Sequence, residues 1–336
     1  MVSRKIVAAV IAIVIIAAVS AGFYISQQRP AQPAYPTSNI KHIMPWSAGG
    51  GTDIVMRSFM NHAEKHLPVK IYTENIVGAS SGTGVYALMG SKPDGYTIGT
   101  LTWDSVITVP FFGLVPGYDL NKLKFVCTVT DHATLIAVHR DSPWKTLKEL
   151  IEDAKKRPGE IPVSNVGLGG VWHLPVLDLE RKAGVKFRHV PFPGGAAPQR
   201  EALIKREVEV ACISYGGIFP AIKSGDARVL AVMSESRVPE LPDVPTFKEL
   251  GYDVIWGSFR VIAVPKDTPD YAIKVLEGAF NKAANDPEFK KWLSEAGGGG
   301  WAWKGSVETE RYVREMQKSA FSLLEELVKE GVIKKS

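Results

Sequence analysis

Cysteine is almost absent from this chain: among 336 residues there are two, Cys127 and Cys212. Each lies in an apolar, strand-like run, and the pair has neither metal-ligand spacing nor the density of a disulfide framework, so both are expected as buried free thiols. No cysteine closes the apolar amino-terminal run, which excludes a lipid-modified lipoprotein anchor. Blocks of one charge sign are missing too. The net charge of +5 suits anionic ligands, but the basic residues are dispersed and no run interleaves them with aromatics, which argues against a nucleic-acid surface. Catalytic patterns are equally scarce. Ser47 and Ser214 lack the Gly-x-Ser-x-Gly frame of a nucleophile elbow. The histidines, His42, His62, His66, His132, His139, His173 and His189, are scattered, and His62 and His66, four apart, lack the Glu of a His-Glu-x-x-His zinc motif because Ala63 follows His62.

What the chain does have is apolar content, 45% hydrophobic against 22% charged, enough for a substantial core and two domains. Arg4 and Lys5 precede an uncharged run from Ile6 to Ile25 that is long enough to cross a bilayer as a helix. It reads as an export signal, with Val19, Ser20 and Ala21 as small residues for cleavage; an uncleaved anchor is the other reading. Gln27 to Asn39, rich in Pro, Gln, Ala and Ser, reads as a tether. The folded body is therefore expected to work outside the cytoplasm.

The rest is organised around the stretch from Ile43 to Arg57. Ile40 to Met44 reads as a short strand, Gly49 to Gly51 free the backbone to turn, and Thr52 or Asp53 is the expected N-cap of an amphipathic helix carrying Ile54, Val55 and Phe59. Strand, glycine turn and helix N-terminus make an anion seat, with unpaired N–H groups, the positive end of the dipole and the hydroxyls of Ser47 and Thr52 turned to one point. The plainer reading is a tight turn with an ordinary cap. No Lys follows the glycines, and the Walker and dinucleotide spacings are absent.

From Ile40 onward short apolar strands alternate with helical stretches, which predicts α/β layers on a largely parallel sheet. Val69 to Tyr72 is a strand, followed by a loop through Gly78, Ala79, Ser80, Ser81 and Gly82, and Tyr96 to Thr102 is another, followed by Trp103 and Ser105. Loops at the carboxyl ends of such strands converge on one rim. Phe125 to Val138, two apolar stretches broken by Thr130, Asp131 and His132, suits a crossing to a second lobe, and Val254 to Val264 a return. Ile161 to Asn165, then Gly167, Leu168, Gly169 and Gly170, then a helix with Trp172, His173 and Leu177, repeats the opening architecture. A terminal helix, Val307 to Lys329, places Val313, Met316, Phe321, Leu324 and Leu327 at helical spacing to cover the first sheet.

Pro45 through Arg57 resembles the signature of the extracytoplasmic receptors of tripartite tricarboxylate transporters: Pro, aromatic, two residues, Gly-Gly, two residues, Asp, a hydrophobic pair, one residue and Arg. Pro93, Asp94, Gly95, Tyr96 and Thr97 resemble that family's next turn. Leu147 to Leu150 with Ala154, Lys155, Pro158 and Gly159 resemble its helix, His189 to Phe192 with Gly194 and Gly195 its strand end, and Val264 to Pro269 its late turn. Order and spacing hold from about Ile40 to Val332.

The resemblance implies a periplasmic-binding fold of two α/β lobes with a cleft and hinge, type II-like, closing on a small organic carboxylate without a cofactor. It implies 39–134 with 254–336 as one lobe and 135–253 as the other, after an export segment and linker over 1–38. It places Trp46, Ser47, Gly49, Gly50, Thr52 and Asp53 on the first wall, flanked by Ala79, Ser80, Ser81 and Thr102. Gly169, Gly170, Val171 and His173, with Pro191 and Gly194, form the facing wall. Asp53 would repel a carboxylate, so it is assigned to capping, to orienting the loop or to receiving a ligand amine. Where the family carries a small hydroxyl residue shortly before the histidine, Gly170, Val171 and Trp172 stand here, which removes one expected ligand hydrogen bond. Trp46, Trp103, Trp172 and Phe192 point to a ligand with an apolar or aromatic body, or to lobe packing; Arg260 offers a cation to a carboxylate, or a hinge salt bridge. The function implied is a monomeric receptor that delivers its ligand to membrane permease subunits, without nucleic acid. A sensory module serving a membrane kinase and an extracytoplasmic hydrolase are the alternatives.

Overall fold

The first strand is short and wholly enclosed, because β1 (Ile40–Met44) runs between β2 (Ile71–Asn75) and β3 (Thr97–Thr102) with parallel register on both sides. Residues 34–167, 169–192, 195–295 and 300–335 are described here, from a computed structural model of the chain. The compact body is Pro36–Ser336. The expected export segment and most of the tether lie outside the described residues, among which no helix is long and apolar enough to cross a membrane.

Between β1 and β2 lies α1 (Gly51–Glu64), and α2 (Gly82–Met89) leads to β3. Two short helices follow, α3 (Trp103–Val106) and α4 (Thr108–Phe112), and then β4 (Leu123–His139). β4 is continuous: the polar Thr130, Asp131 and His132 interrupt the hydrophobic pattern and not the strand. Beyond it come α5 (Leu147–Lys156), β5 (Pro162–Asn165), α6 (Leu174–Ala183), β6 (Arg188–Pro191), α7 (Ala196–Ile204), β7 (Val210–Ser214), α8 (Tyr215–Lys223) and β8 (Ala227–Met233). The chain returns through β9 (Gly257–Pro265) and finishes with α9 (Asp270–Ala284), α10 (Pro287–Glu295), β10 (Trp301–Lys304) and α11 (Ser306–Lys329).

Two expectations need correction. The sheet is mixed: β1, β2 and β3 are parallel, as are β5, β6 and β7, but the centre is antiparallel, β9 pairing with β3 and β4, and β4 with β7, β8 and β10. The reason is topological, since the two crossing strands run in opposite directions and lie side by side. The N-cap of α1 is Gly50, in extended conformation and without a side-chain cap, so that Thr52 and Asp53 fall inside the first turn. Asp53 is occupied elsewhere, as described below.

The single strand β4 serves both sheets. Its first part, Leu123 to Ala133, pairs with β9, and its second part, Thr134 to His139, pairs with β7 and β8. In the β4·β9 ladder the register slips between Phe125 and Cys127 and again between Thr128 and Thr130, leaving Val126 and Val129 as bulged residues. Cys127 and Cys212 are buried and unbonded, and burial pushes both thiols up.

Apolar spacing decides where each helix packs. Phe59 of α1 meets Phe280 of α9 and Phe289 of α10 at ring-centroid distances of 5.7 and 5.3 Å, fastening three helices over the first sheet. α11 buries Val313, Ala320, Leu324 and Leu327 and sets Phe321 edge-on to Phe111 of α4 at 5.3 Å. It also reaches the second sheet's helices, with Arg181 of α6 bridging to Glu326 and Glu330 at 3.1 and 3.4 Å. The sequence pattern showed the apolar stripe of this helix but not its double attachment.

Candidate functional site

The turn after β1 is held from within its own lobe. Asp53 is buried, accepts the Gly49 N–H at 2.9 Å and Arg57 Nε at 3.0 Å, and receives Asn75 Nδ2 at 2.9 Å. The same Asn75 nitrogen donates to the Trp46 carbonyl at 2.7 Å, while Arg57 Nη2 donates to Asn75 Oδ1 at 2.6 Å. Burial alone would push the Asp53 carboxyl up, but the donors from Arg57, Asn75 and Gly49 outweigh it and hold it below its ordinary value. Of the three roles expected for Asp53, the geometry supplies the orienting one. Gly49 adopts φ +75°, the left-handed conformation that favours glycine.

The result is that the amino end of α1 opens into a cavity of about 90 Å³ between the two sheets. Trp46, Ser47, Gly50, Gly51 and Thr52 line one side, with Thr102, whose hydroxyl accepts Trp46 Nε1 at 3.2 Å. The opposite side is made by the amino ends of two helices of the second sheet: Gly195, Ala196 and Ala197 open α7, and Ser214 and Gly217 open α8. Ser214 Oγ caps α8 by accepting the Gly217 N–H at 3.3 Å. Val166, Val171 and Trp172 complete that wall. The buried indole nitrogen of Trp172 has no hydrogen-bond partner among the described residues.

The crossing strands form the floor. Arg260 of β9, 5% exposed, donates Nη1 to Thr130 Oγ1 at 2.9 Å and Nε to Thr52 Oγ1 at 3.3 Å, and its Nη1 lies 3.4 Å from His132 Nδ1. Burial lowers Arg260 to about 10, which leaves it charged at neutral pH. Burial, and then the adjoining guanidinium, lowers His132 well below its usual value, so it is neutral. A neutral histidine beside a buried cation lets the local positive charge face the cavity.

Of the residues expected at the site, Trp46, Ser47, Gly50, Thr52, Thr102 and Val171 meet at this cavity. Gly49 and Asp53 lie behind it as the brace. Ala79, Ser80 and Ser81 form a left-handed turn to one side, where Ser81 Oγ meets Ser105 Oγ at 2.8 Å. Gly169, Gly170 and His173 form a loop whose backbone does not line the cavity: Gly169 donates to His173 Nδ1 at 3.0 Å. Pro191 ends β6 away from the lining, and Gly194 lies outside the described residues. Trp103 packs on Trp256 at 5.4 Å, and Phe192 packs against the core.

The sequence reading did not select Asp104, His132, Ser214, Gly217 or Ser258, all of which line the cavity. Ser214 at the end of β7 is the one signal for α8, since it stands three residues before Gly217 as an N-cap should. A larger hollow of about 560 Å³ opens beside β8, lined by Tyr215, Trp256, Gly300, Tyr312 and the loop after β8, and the glycines of the loops after β1 and β5 do not line it.

A family model described as the tripartite tricarboxylate transporter family receptor matches residues 55–328. A protein of Cupriavidus necator, described as UPF0065 protein in gbd 5' region, is 29% identical over 261 residues, covering 78% of this chain and 79% of its own. Among solved structures, a TctC solute-binding protein from Polaromonas is 32% identical with a TM-score of 0.70, over 88% of this chain and 100% of its own. The periplasmic binding protein BugD is 28% identical with a TM-score of 0.77, over 87% and 98%. The two-lobed α/β architecture expected from the sequence is the one these binding proteins share.

Proposed function

The chain belongs to the tripartite tricarboxylate transporter receptor family, and from that premise we propose that it is an extracytoplasmic receptor that captures a small organic carboxylate between its lobes and hands it, unaltered, to the permease subunits of a membrane transporter. In this reading 39–134 with 254–336 make one lobe and 135–253 the other, residues 1–38 carry the export segment or anchor and its linker, and the receptor acts as a monomer without a cofactor. The observation that carries the reading is the convergence of three helix N-termini and the buried Arg260 guanidinium on one cavity. Backbone N–H groups at helix starts and a guanidinium are the donors a carboxylate needs. Each contact to a charged oxygen contributes about 1.5 to 3 kcal/mol net. Because α1 comes from one lobe and α7 and α8 from the other, only the closed arrangement makes all of these contacts at once, and that differential affinity is what draws the lobes together.

A thermal-shift panel on the purified full chain tests this. Aliphatic and aromatic carboxylates, amino acids and neutral sugars are compared, and a ligand at about 100 times its dissociation constant stabilises the fold by roughly 2.7 kcal/mol. A shift confined to carboxylate-bearing compounds is the expected result. A shift from sugars alone, with silence from every carboxylate, overturns the reading of the cavity. With Trp46 and Trp172 at the lining, an aromatic acid that outperforms its aliphatic counterpart shows that the rings contact the ligand body.

A further inference from the structure

The cavity contains a second charged group that a seat for a bare carboxylate does not need. Asp104, the second residue of α3, is 4% exposed and lines the same cavity as Arg260. Its Oδ1 lies 3.0 Å from Thr108 Oγ1, and its carboxylate also accepts the backbone N–H of Val171 from the facing wall and its own backbone N–H. The Thr108 hydroxyl stands 2.9 Å from the Gly169 carbonyl as well, so its one proton is shared between two acceptors. A carboxylate has room for about four hydrogen bonds, and among the described residues no ion pair reaches this one. Burying an ionised carboxyl without a cation costs several kcal/mol. Such a group is retained at a binding cavity at low cost only if the occupant brings the missing charge.

We propose that Asp104 selects the ligand, and that the occupant is a carboxylate which also bears a protonated nitrogen, its carboxylate held at the start of α1 and by Arg260 and its nitrogen by Asp104. This rests on the reading of the cavity as a carboxylate seat and adds to it the identity of the second group. An ionised Asp104 attracts an ammonium and repels the second carboxylate of a diacid, so one side chain both favours zwitterions and rejects dianions. Burial pushes Asp104 up to about 6, the donors from Thr108, Val171 and its own backbone N–H offsetting part of the effect, and at neutral pH it remains largely ionised.

The test is calorimetric titration of the full chain with acids matched in pairs that differ only by the nitrogen: alanine and propionate, glutamate and glutarate, 4-aminobutyrate and butyrate. Wild type is expected to favour the amino member of the pair that fits by at least tenfold, and Asp104→Asn, which keeps the shape and the Thr108 contact, to bring the two members within threefold. Thr108→Val removes the contact but leaves the charge, and is expected to preserve the preference even if both affinities fall. A uniform loss for both members in Asp104→Asn, with their ratio unchanged, makes Asp104 a fastener between the walls and overturns the proposal. A preference of wild type for the deaminated members overturns it as well. Lactate binding as tightly as alanine removes the need for a cation. If wild type binds no acid of either kind, the carboxylate seat itself is wrong, and that failure is separate from a failure of Asp104.

Discussion

Two loops of this molecule share a sequence pattern and do different work. Each follows a strand, carries glycine with positive φ (Gly49 at +75°, Gly167 at +106°, Gly169 at +69°) and leads toward a helix. The first is braced by its own lobe, through Asp53, Arg57 and Asn75, and offers the start of α1 to the cavity. In the second, Asn165 Oδ1 accepts the Gly167 N–H at 2.8 Å and His173 accepts that of Gly169, but the Gly169 carbonyl and the Val171 N–H turn to Thr108 and Asp104, on the two short helices that follow β3. One loop is a seat and the other is a catch. What separates them is which part of the chain satisfies the backbone polar groups, a matter of tertiary placement rather than local sequence.

The sharpest way to break this comparison is at the two glycines. A Cβ at Gly169 would stand 2.0 Å from Phe112 Cε2, in addition to the left-handed strain. Gly169→Ala is expected to cost about 4 kcal/mol, summing overpacking and backbone strain, and to lower ligand affinity more than tenfold by forcing the catch away from α4; urea unfolding and titration read both.

Acid separates the loops next. Beneath the first loop, burial and the nearby Arg57 lower His42 to about 3, against an opposing pull from Asp53. Its folded value lies below its unfolded one, so the stability it permits is complete above pH 6.5 and is lost as pH falls below that. At pH 4 the loss is about 3 kcal/mol. At the second loop the terms oppose. His173 is lowered to about 4 by burial and by His189, and is weakened by acid, whereas the raised Asp104 gains from proton uptake below about 6. Hydrogen exchange followed by mass spectrometry is therefore expected to show protection of 40–53 falling between pH 6.5 and 4 while that of 165–173 holds.

Removing the brace comes third. Asp53→Ala removes the acceptor shared by Arg57 Nε, Asn75 Nδ2 and the Gly49 N–H and is expected to cost about 2 kcal/mol and to weaken binding by loosening the seat. Unchanged affinity would reduce Asp53 to a dispensable support. The smallest effect is expected at Gly49→Ala, where a Cβ meets nothing within 4 Å and only the left-handed strain remains, about 1 kcal/mol. Equal losses at Gly49 and Gly169 would erase the distinction between seat and catch.

Much of the fold was legible because apolar periodicity marks strands and amphipathic helices whatever their partners. β1 and α11 fall within a residue or two of where the pattern puts them. Three features were not. Trp103 and Ser105 read as a loop after the strand Tyr96 to Thr102, and the two short helices α3 and α4 show only in the backbone. α8 was hidden by Gly216, Gly217 and an internal Pro220, each of which argues against a helix that Ser214 nonetheless caps. The antiparallel centre depends on two strands more than a hundred residues apart lying together, which no local window reports. The same holds for the site. The Gly-rich first wall announces itself by composition, whereas Arg260 becomes a cavity residue only because β9 sets it beside Thr52, 208 positions away in sequence.

The bulge at Val129 gives the β4·β9 ladder a consequence of its own. It falls between the pairings Thr128↔Val261 and Thr130↔Arg260, so the bend that the bulge puts into the ribbon adjoins the residue whose guanidinium floors the cavity. If the lobes close on a ligand as proposed, a substitution that moves Arg260 also disturbs the bulge beside it, and divergence of this receptor toward new solutes is then expected to carry its opening and closing rates along, as a single inherited trait.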